Sequence, residues 1–155
     1  MDELDQAILR ELQSDARMTN RDVAAAVGVS PTTALDRTRS LRARGIIRGT
    51  VLDVDLPSIG RPVQALVAVR IRPPSRAVIE AFRDWAASRP QTLGVFVTTG
   101  NEDFIIHLAV ADNDSLYGFV IDELTQRSEV ADVRTSVVYE HIRNPRIEPL
   151  PARKR

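Results

Sequence analysis

The sequence predicts an α+β protein of two parts, a helix-turn-helix of winged type followed by a ferredoxin-like βαββαβ sandwich. Three observations predict this fold class. Three short segments with helix-capping residues precede the first β-rich run. Two strand-helix-strand units then follow one another, which is the order of a split βαβ fold. With 155 residues, the chain has room for two small domains only.

Residues that cap helices mark the boundaries of three N-terminal helices. The first, Glu3–Ser14, has an apolar residue at every fourth position. Thr19 and Asp22 are predicted to be a capping pair for the second helix, Asp22–Val27. This helix ends at Gly28, which can adopt the left-handed conformation. The third, Pro31–Arg44, begins after Ser30, because serine is a strong N-cap and proline is favoured in the first turn. The short glycine-containing turn between the last two helices is typical of a helix-turn-helix.

The rest of the chain alternates between β-rich and helical segments. Ile46–Leu56 alternates apolar and polar residues, which predicts a strand before a hinge rich in proline and glycine. The sandwich elements are expected at Val63–Ile71, Ser75–Ser88, Thr92–Thr99, Phe104–Val110, Ser115–Arg127 and Val130–Tyr139. The predicted division is a helix-turn-helix over 1–48, a strand and hinge over 49–62, the sandwich over 63–142 and a loose tail over 143–155 with a basic end.

Composition argues against several classes of function. The chain has no cysteine and two histidines, which excludes disulfides and thiolate zinc sites and disfavours any metal site. It has no Gly-rich phosphate loop and no nucleophile beside a histidine, so we expect neither an enzyme nor a cofactor. No apolar run reaches the roughly 18 residues that span a bilayer, and the start of the chain lacks a signal-peptide layout. A cytoplasmic protein without a membrane partner is expected.

Charge is sorted along the chain although its total is zero. Basic and acidic residues number 21 each. Five arginines and no acidic residue lie between Arg37 and Arg48, on and after the third helix. A basic helix behind a short capped turn favours a DNA-binding surface. The alternative is an ordinary three-helix bundle with a solvated arginine face.

Several stretches of the sequence resemble one known family. LDQAILRELQSDARMTNRDVAAAVGVS and RTRSLRARGIIRGT are similar to the DNA-binding half of the Lrp/AsnC, or feast-or-famine, regulators. TTGNEDFIIHLAVADNDSLYGFVIDEL and EVADVRTSVVYE resemble that family's ligand-sensing and oligomerising (RAM) domain. The resemblance implies a prokaryotic transcription regulator whose DNA affinity and assembly respond to an amino acid or related metabolite. It also implies homodimers, formed by back-to-back sheets, that assemble into tetramers or octamers and bind a (pseudo)palindromic DNA operator.

The helix-turn-helix interpretation indicates which residues contact DNA. The start of the third helix reaches base edges in the major groove, while nearby arginines hold phosphates. We therefore expect Thr32, Thr33 and Asp36 nearest the bases, and either role for Arg37 and Arg39. An i, i+3 ion pair with Arg39 is the alternative role of Asp36. The predicted set is Asn20, Arg21, Ser30, Thr32, Thr33, Asp36, Arg37, Arg39 and Ser40.

The loop between the two halves of the sandwich is the candidate effector site. Its glycine lets backbone N–H groups approach a carboxylate, and its aspartate can accept an ammonium group, so a free amino acid suits it chemically. A β-turn with a capping aspartate is the alternative. The Gly-x-x-Asp motif of the Lrp/AsnC family, which this loop resembles, usually has an aromatic residue before its aspartate. This chain has Glu102 there, which bears on the identity of the effector. The predicted set is Thr98, Thr99, Gly100, Asn101, Glu102 and Asp103 of the loop, with Thr135 and Ser136 of the last strand. For the two strand residues, cross-strand hydroxyl pairing is the alternative.

Two functions are carried forward from the sequence. One is a ligand-responsive DNA-binding regulator, and the other is an architectural DNA-binding protein without an effector. The uncovered face of the sheet, with either Leu66 and Ala68 or Val67 and Val69, is the expected dimer interface. His107, alone in its strand, is expected to be a partly buried, hydrogen-bonded residue.

Overall fold

The computed structural model describes residues 1–150, which form two compact units. One unit contains Met1–Asp53 together with the described residues that follow His141, and the other contains Val54–His141. Each unit has a hydrophobic core of its own. The chain therefore passes out of the first unit after Asp53 and returns to it after His141.

The first unit is built from α1 (Glu3–Ser14), α2 (Asn20–Val27) and α3 (Pro31–Ala43). The predicted capping pair of α2 is confirmed, because Thr19 and Asp22 bond reciprocally to each other's backbone N–H groups. Since the cap is Thr19, α2 begins two residues earlier than predicted. The predicted boundaries of α1 and α3 agree with the structure to within one residue.

A small core joins the three helices of the first unit. Ile8 of α1, Val23 of α2 and Leu41 of α3 are almost fully buried. Burying a side chain of this size stabilises the fold by roughly 1.5 to 3 kcal/mol. The core also contains Ala24 and Ala34, whose small side chains allow α2 and α3 to pack closely.

The second unit is the predicted βαββαβ sandwich. Its elements are β1 (Val63–Ile71), α4 (Arg76–Ala87), β2 (Thr92–Val97), β3 (Phe104–Val110), α5 (Asn113–Gly118) and β4 (Val130–Val138). The strand order is β2-β3-β1-β4, and all three strand pairs are antiparallel. After α5 the chain continues as a π-helical segment, Phe119–Leu124, so the predicted second helix is formed in two pieces.

The two faces of the sheet differ because alternate residues of β1 point in opposite directions. Ala65, Val67, Val69 and Ile71 are buried and pack with residues of α4, α5 and the π-helical segment. The open face carries the residues between them, including Leu66, which is 39% exposed. Of the two alternatives for the uncovered face, Leu66 and Ala68 are therefore the pair that occupies it. Register places Ile105, His107, Arg134 and Ser136 on the same open face.

The predicted strand Ile46–Leu56 is not formed in the single chain. The backbone of residues 46–55 belongs to no helix or strand. Val51 and Leu52 are 85% and 89% exposed. A strand needs a neighbour for its N–H and C=O groups, and residues 1–150 place no strand beside the segment. The alternating sequence has the pattern of a strand but cannot supply a partner.

The structure also differs from the predicted loose tail. Residues 143–150 belong to the first unit and contact α1 through side-chain and backbone hydrogen bonds. Polar side chains of α1 supply the partners, and composition alone does not reveal them. The basic end predicted at 153–155 lies outside the described residues.

Two kinds of feature are absent from residues 1–150. No helix there is long and apolar enough to cross a membrane. The same residues contain no group of three or more His, Asp or Glu side chains placed to hold a metal ion.

Candidate DNA interface and effector loop

One side of α3 is exposed and points away from the core of its unit. Thr32, Asp36 and Arg39 follow one another at i, i+4 and i+7, and all three are exposed. Thr33 and Ser40 lie beside them, with Thr33 partly buried. We call these five residues the α3 outer face. It contains five of the nine residues predicted to bind DNA.

The start of α3 is fixed by its cap. The Ser30 hydroxyl accepts a hydrogen bond from the Thr33 backbone N–H at 3.1 Å, and the two hydroxyls lie 2.8 Å apart. Ser30 and Thr33 therefore have a structural role in addition to any contact with DNA. Thr32, between them, keeps an exposed hydroxyl at the helix N-terminus, where the unpaired N–H groups favour a phosphate or another anion.

Two residues of the α3 outer face are unpaired. Among residues 1–150, Arg39 makes no hydrogen bond or ion pair, and Asp36 makes no ion pair. The alternative role for Asp36, an ion pair with Arg39, is therefore not formed in the described chain. Asn20 and Arg21 are likewise exposed, in the first turn of α2. The Asp36 carboxylate accepts hydrogen bonds and the Arg39 guanidinium, one turn away, donates them. The pair therefore presents both an acceptor and donors to a base edge.

Arg37 does not lie on the outer face. Its Nη1 donates to Asp2 Oδ2 at 2.6 Å and lies 3.3 Å from Asp5 Oδ1. Arg44, two turns further on, donates from Nη2 to Asp5 Oδ2 at 2.6 Å. The backbone N–H of Asp5 and the Arg37 guanidinium hold the pKa of Asp2 below its usual value. Arg37 and Arg44 thus connect α3 to α1.

Asp5 is a residue that positions α3 and that the sequence analysis missed. It is only 2% exposed, and its two oxygens are paired with Arg37 of α3 and with Arg44, the C-cap residue of α3. The signal was available, since Asp5 precedes Ile8 by three residues and so lies on the apolar stripe of α1. An acidic residue on a buried stripe predicts a basic partner on the helix that it packs against.

The loop between β2 and β3 is a closed turn. The Thr98 hydroxyl donates to the Glu102 carbonyl at 2.7 Å, and the Thr98 N–H donates to the Asp103 carbonyl at 2.9 Å. Gly100, at φ +118°, holds a conformation that side-chain-bearing residues rarely adopt. Thr99, Gly100 and Asn101 form an exposed tip, which we call the effector loop together with Thr98, Glu102 and Asp103.

Asp103 fastens the effector loop to the end of β1. Its Oδ2 accepts a hydrogen bond from the Ile71 N–H at 2.7 Å and lies 3.5 Å from Arg72 Nη1. Its own N–H donates to the Val69 carbonyl at 3.0 Å. Asp103 therefore has a structural role, but its carboxylate binds the end of β1 and does not cap the turn, which was the alternative kept in the sequence analysis. A ligand ammonium group at this carboxylate has to share it with the β1 backbone.

Glu102 is also occupied within the chain. Its carboxylate forms an ion pair with Arg134 of β4, which reaches across the open face of the sheet. Arg134 lies 3.9 Å from Asp132 as well. Glu102, at the position where the Gly-x-x-Asp motif usually has an aromatic residue, is therefore one partner of an ion pair.

Thr135 and Ser136 do not lie on one side of the sheet. Thr135 is opposite Val67, on the covered face, whereas Ser136 is opposite Leu66, on the open face. Strand β1 separates both of them from β3 and the effector loop. One chain therefore does not gather all eight predicted effector residues into a single pocket.

His107 has the structural role expected of it. Its Nε2 lies 3.0 Å from Gln64 Oε1, and its ring meets that of His141 edge to face at 5.5 Å. Partial burial, with a smaller contribution from His141, lowers the pKa of His107.

The comparison with known families addresses both regions. Residues 1–42 match the AsnC-type helix-turn-helix domain, and residues 64–147 match the Lrp/AsnC ligand binding domain. The second match alone covers more than half of the chain. The chain belongs to the Lrp/AsnC family. It is a transcription regulator with a DNA-binding and a ligand-binding domain, and not an enzyme.

Relatives of this Lrp/AsnC protein match it over most of their length. The HTH-type transcriptional regulator AldR of Mycolicibacterium smegmatis is 37% identical over 143 residues, which are 92% of this chain and 84% of AldR. The leucine-responsive regulatory protein of Rhizobium meliloti is 33% identical over 93% of this chain and 92% of its own. A transcriptional regulator from Neisseria meningitidis, solved as a complex with L-Met, superposes with a TM-score of 0.86 at 30% identity, covering 93% of each chain.

Proposed function

We propose that this Lrp/AsnC regulator binds a (pseudo)palindromic operator as a homodimer and that an amino acid effector changes its DNA affinity and assembly. The observation that carries the DNA part is the α3 outer face, where Asp36 and Arg39 are exposed and unpaired in the described chain. We assign base contacts to Thr32, Asp36 and Arg39, because these side chains lie on the most exposed line of α3. Phosphate contacts fall to Asn20, Arg21, Ser30, Thr33 and Ser40.

Arg37 has a different role in this proposal from the one predicted for it. Two carboxylates of α1 hold its guanidinium, so it positions α3 in the free protein. Contact between Arg37 and a phosphate requires the Asp2 carboxylate to be exchanged for that phosphate. We therefore expect Arg39 to contribute more to DNA affinity than Arg37.

The effector proposal rests on the chemistry of the effector loop and on the relative from Neisseria meningitidis that was solved with L-Met. Gly100 exposes backbone N–H groups that suit an α-carboxylate, while Asp103 and Glu102 suit an ammonium group. Because β1 lies between the loop and Ser136 in one chain, we place Thr135 and Ser136 of another subunit beside the loop. The effector then binds between subunits.

Assembly through the sheet completes the proposal. The open face exposes Leu66 and Phe96, and no element of the described chain covers it. Apolar surface of this kind is buried when two sheets pack face to face. We propose dimers formed in this way, with tetramers or octamers built from them, acting on DNA in the cytoplasm.

One pair of measurements tests the proposal. Fluorescence anisotropy with DNA from upstream of the protein's own gene gives the affinity, which falls steeply with salt if arginines neutralise phosphates. A melting screen against the common amino acids identifies the effector, since a ligand of the folded state stabilises it by RT ln(1 + [L]/Kd). DNA binding that no amino acid alters, with no shift in melting, favours the architectural protein instead. Absence of DNA binding overturns the proposal.

A further inference from the structure

Residues 143–150 lie along the last turns of α1, and we call them the α1 clasp. The Gln13 side-chain amide makes two hydrogen bonds to the backbone of Ile147. Its Nε2 donates to the Ile147 carbonyl at 3.2 Å, and its Oε1 accepts from the Ile147 N–H at 2.7 Å. One side chain thus satisfies both polar groups of one residue, as a neighbouring strand does in a sheet.

Charged side chains fix the clasp on either side of this contact. Arg146 Nη2 donates to the Ser14 hydroxyl at 2.8 Å, and Glu148 lies 3.4 Å from Arg10 Nε. Arg143 Nη1 donates to Asp53 at 2.8 Å. No basic residue of α1 lies in its last turn, so Arg146 supplies the positive charge that stabilises a helix C-terminus.

The clasp has local order and lines an apolar groove. The Asn144 side chain accepts a hydrogen bond from the Arg146 N–H at 3.1 Å, which closes a turn around Pro145. Ile147 and Pro149 line one side of a groove of about 830 Å³, and Leu9 and Leu12 of α1 line another side. The turn reduces the number of conformations that the free segment must lose on docking.

Helix α1 is held on two opposite faces. Asp5, Ile8 and Leu12 point toward α2 and α3. Arg10, Gln13 and Ser14 point the other way, at i, i+3 and i+4, and contact the clasp. Asp5 pairs with Arg37 and Arg44, so the clasp and α3 contact opposite faces of the same helix.

We infer that the α1 clasp is a detachable part of the DNA-binding unit and a second tether on it. The chain enters this unit from the sensor at Ile142 as well as leaving it at Asp53, so a docked clasp restrains the unit at both points. Most of the clasp contacts are exposed, as in the Arg10–Glu148 pair, whose side chains are 48% and 59% exposed. Exposed pairs of this kind are weak and are screened by salt, which makes docking reversible.

Hydrogen-deuterium exchange on the full-length protein tests this inference. In the wild type, the Ile147 amide exchanges more slowly than a free chain does. Gln13→Ala removes its acceptor, and we expect exchange at Ile147 and in the last turn of α1 to rise about fivefold or more, since one hydrogen bond contributes about 1 kcal/mol. Raising salt from about 0.1 M to about 1 M accelerates exchange in the clasp in the same direction.

Two further variants keep the test decisive. Arg17→Ala is the matched control, because Arg17 follows α1 and, among residues 1–150, forms side-chain hydrogen bonds and ion pairs with Asp15 alone. It leaves the exchange of the clasp unchanged. Ile147→Pro removes the same hydrogen bond from the side of the clasp and leaves the sequence of the helices unchanged. Faster exchange in α1 of this variant therefore cannot be explained by misfolding of a Gln13 variant. Free-chain exchange over 143–150 in the wild type, or α1 exchange indifferent to both variants, overturns the inference.

Discussion

The α3 outer face and the effector loop differ in how far a single chain completes them. The outer face is assembled by one cap and by ion pairs inside one unit, so its exposed groups already stand together. The effector loop already has its own carboxylates engaged, and its predicted partners on β4 lie beyond β1. The proposed DNA contacts therefore stand together within one folded unit, whereas the proposed effector contacts do not come together within one chain.

The largest expected effect comes from breaking the ion pairs that hold α3. Asp5→Ala leaves Arg37 and Arg44 without their buried acceptor and destabilises the DNA-binding unit by about 1 to 3 kcal/mol. This is less than for a fully buried pair, because both arginines remain partly exposed and can regain water. Calorimetric melting with exchange read over residues 3–43 measures the loss. Asp15→Ala, at an exposed position, is the control, and an equal loss there contradicts the assignment.

The next effect separates the arginine on the outer face from the one beside α1. Arg39→Ala should weaken binding to a matched operator by about 1 to 3 kcal/mol if Arg39 contacts a base, with no change in melting temperature. Arg37→Ala should lower the melting temperature, because it removes contacts to Asp2 and Asp5. Anisotropy titrations and melts of both variants give the comparison. If the two variants lose the same property, the division between binding and positioning fails.

A third prediction concerns the double role of Asp103. Asp103→Ala removes the acceptor of the Ile71 N–H and should destabilise the sensor unit by about 1 to 3 kcal/mol. If the carboxylate also binds the effector ammonium, effector affinity falls roughly 10- to 150-fold while ligand-free DNA affinity is retained. Isothermal titration with the amino acid found in the melting screen measures this loss. Unchanged effector affinity in the variant moves the ammonium site elsewhere, with Glu102→Ala as the next variant.

The smallest effect distinguishes the two units by pH. The pKa of His107 is lowered from its ordinary value of 6.5, so the unfolded chain binds the proton more readily. Its stabilising contribution is complete above about pH 6.5 and is lost as the pH falls below that value. The pKa values of Asp2 and Asp22 are lowered from 3.8, so both carboxylates stabilise the first unit above about pH 3.8. This contribution is lost as the pH falls further. In melts between pH 7 and pH 5, the melting temperature of the sensor unit should therefore fall before that of the first unit. His107→Gln should remove this dependence of the melting temperature on pH.

The parts of the fold that were predictable have local signals. Thr19, Asp22 and Ser30 cap helices within three residues of themselves. These caps located the start of α2 to within two residues and gave the start of α3 correctly. In the strands of the sandwich, alternate residues point to the covered face, and each strand pairs with a neighbour in the same chain. The segment 46–55 has the same alternation but no neighbour, so the pattern predicted a strand that one chain cannot form.

The candidate sites were less predictable because their contacts are distant in sequence. Arg37 meets a carboxylate 35 residues away, and Glu102 meets an arginine on another strand. Nothing in the composition around Arg37 indicates that partner. The separation of Thr135 from Ser136 was within reach of sequence reasoning, because neighbouring residues of a strand point to opposite faces.

The position of the α1 clasp in the chain has a consequence for biosynthesis. Helices α1, α2 and α3 leave the ribosome first, while the clasp is encoded after the 88 residues of Val54–His141. At about 5 to 20 residues per second, those residues take roughly 4 to 18 seconds to translate. During that interval the clasp has not been synthesised, so Arg10, Gln13 and Ser14 lack their contacts with it. The nascent helix-turn-helix is therefore less restrained until synthesis of the sensor is complete.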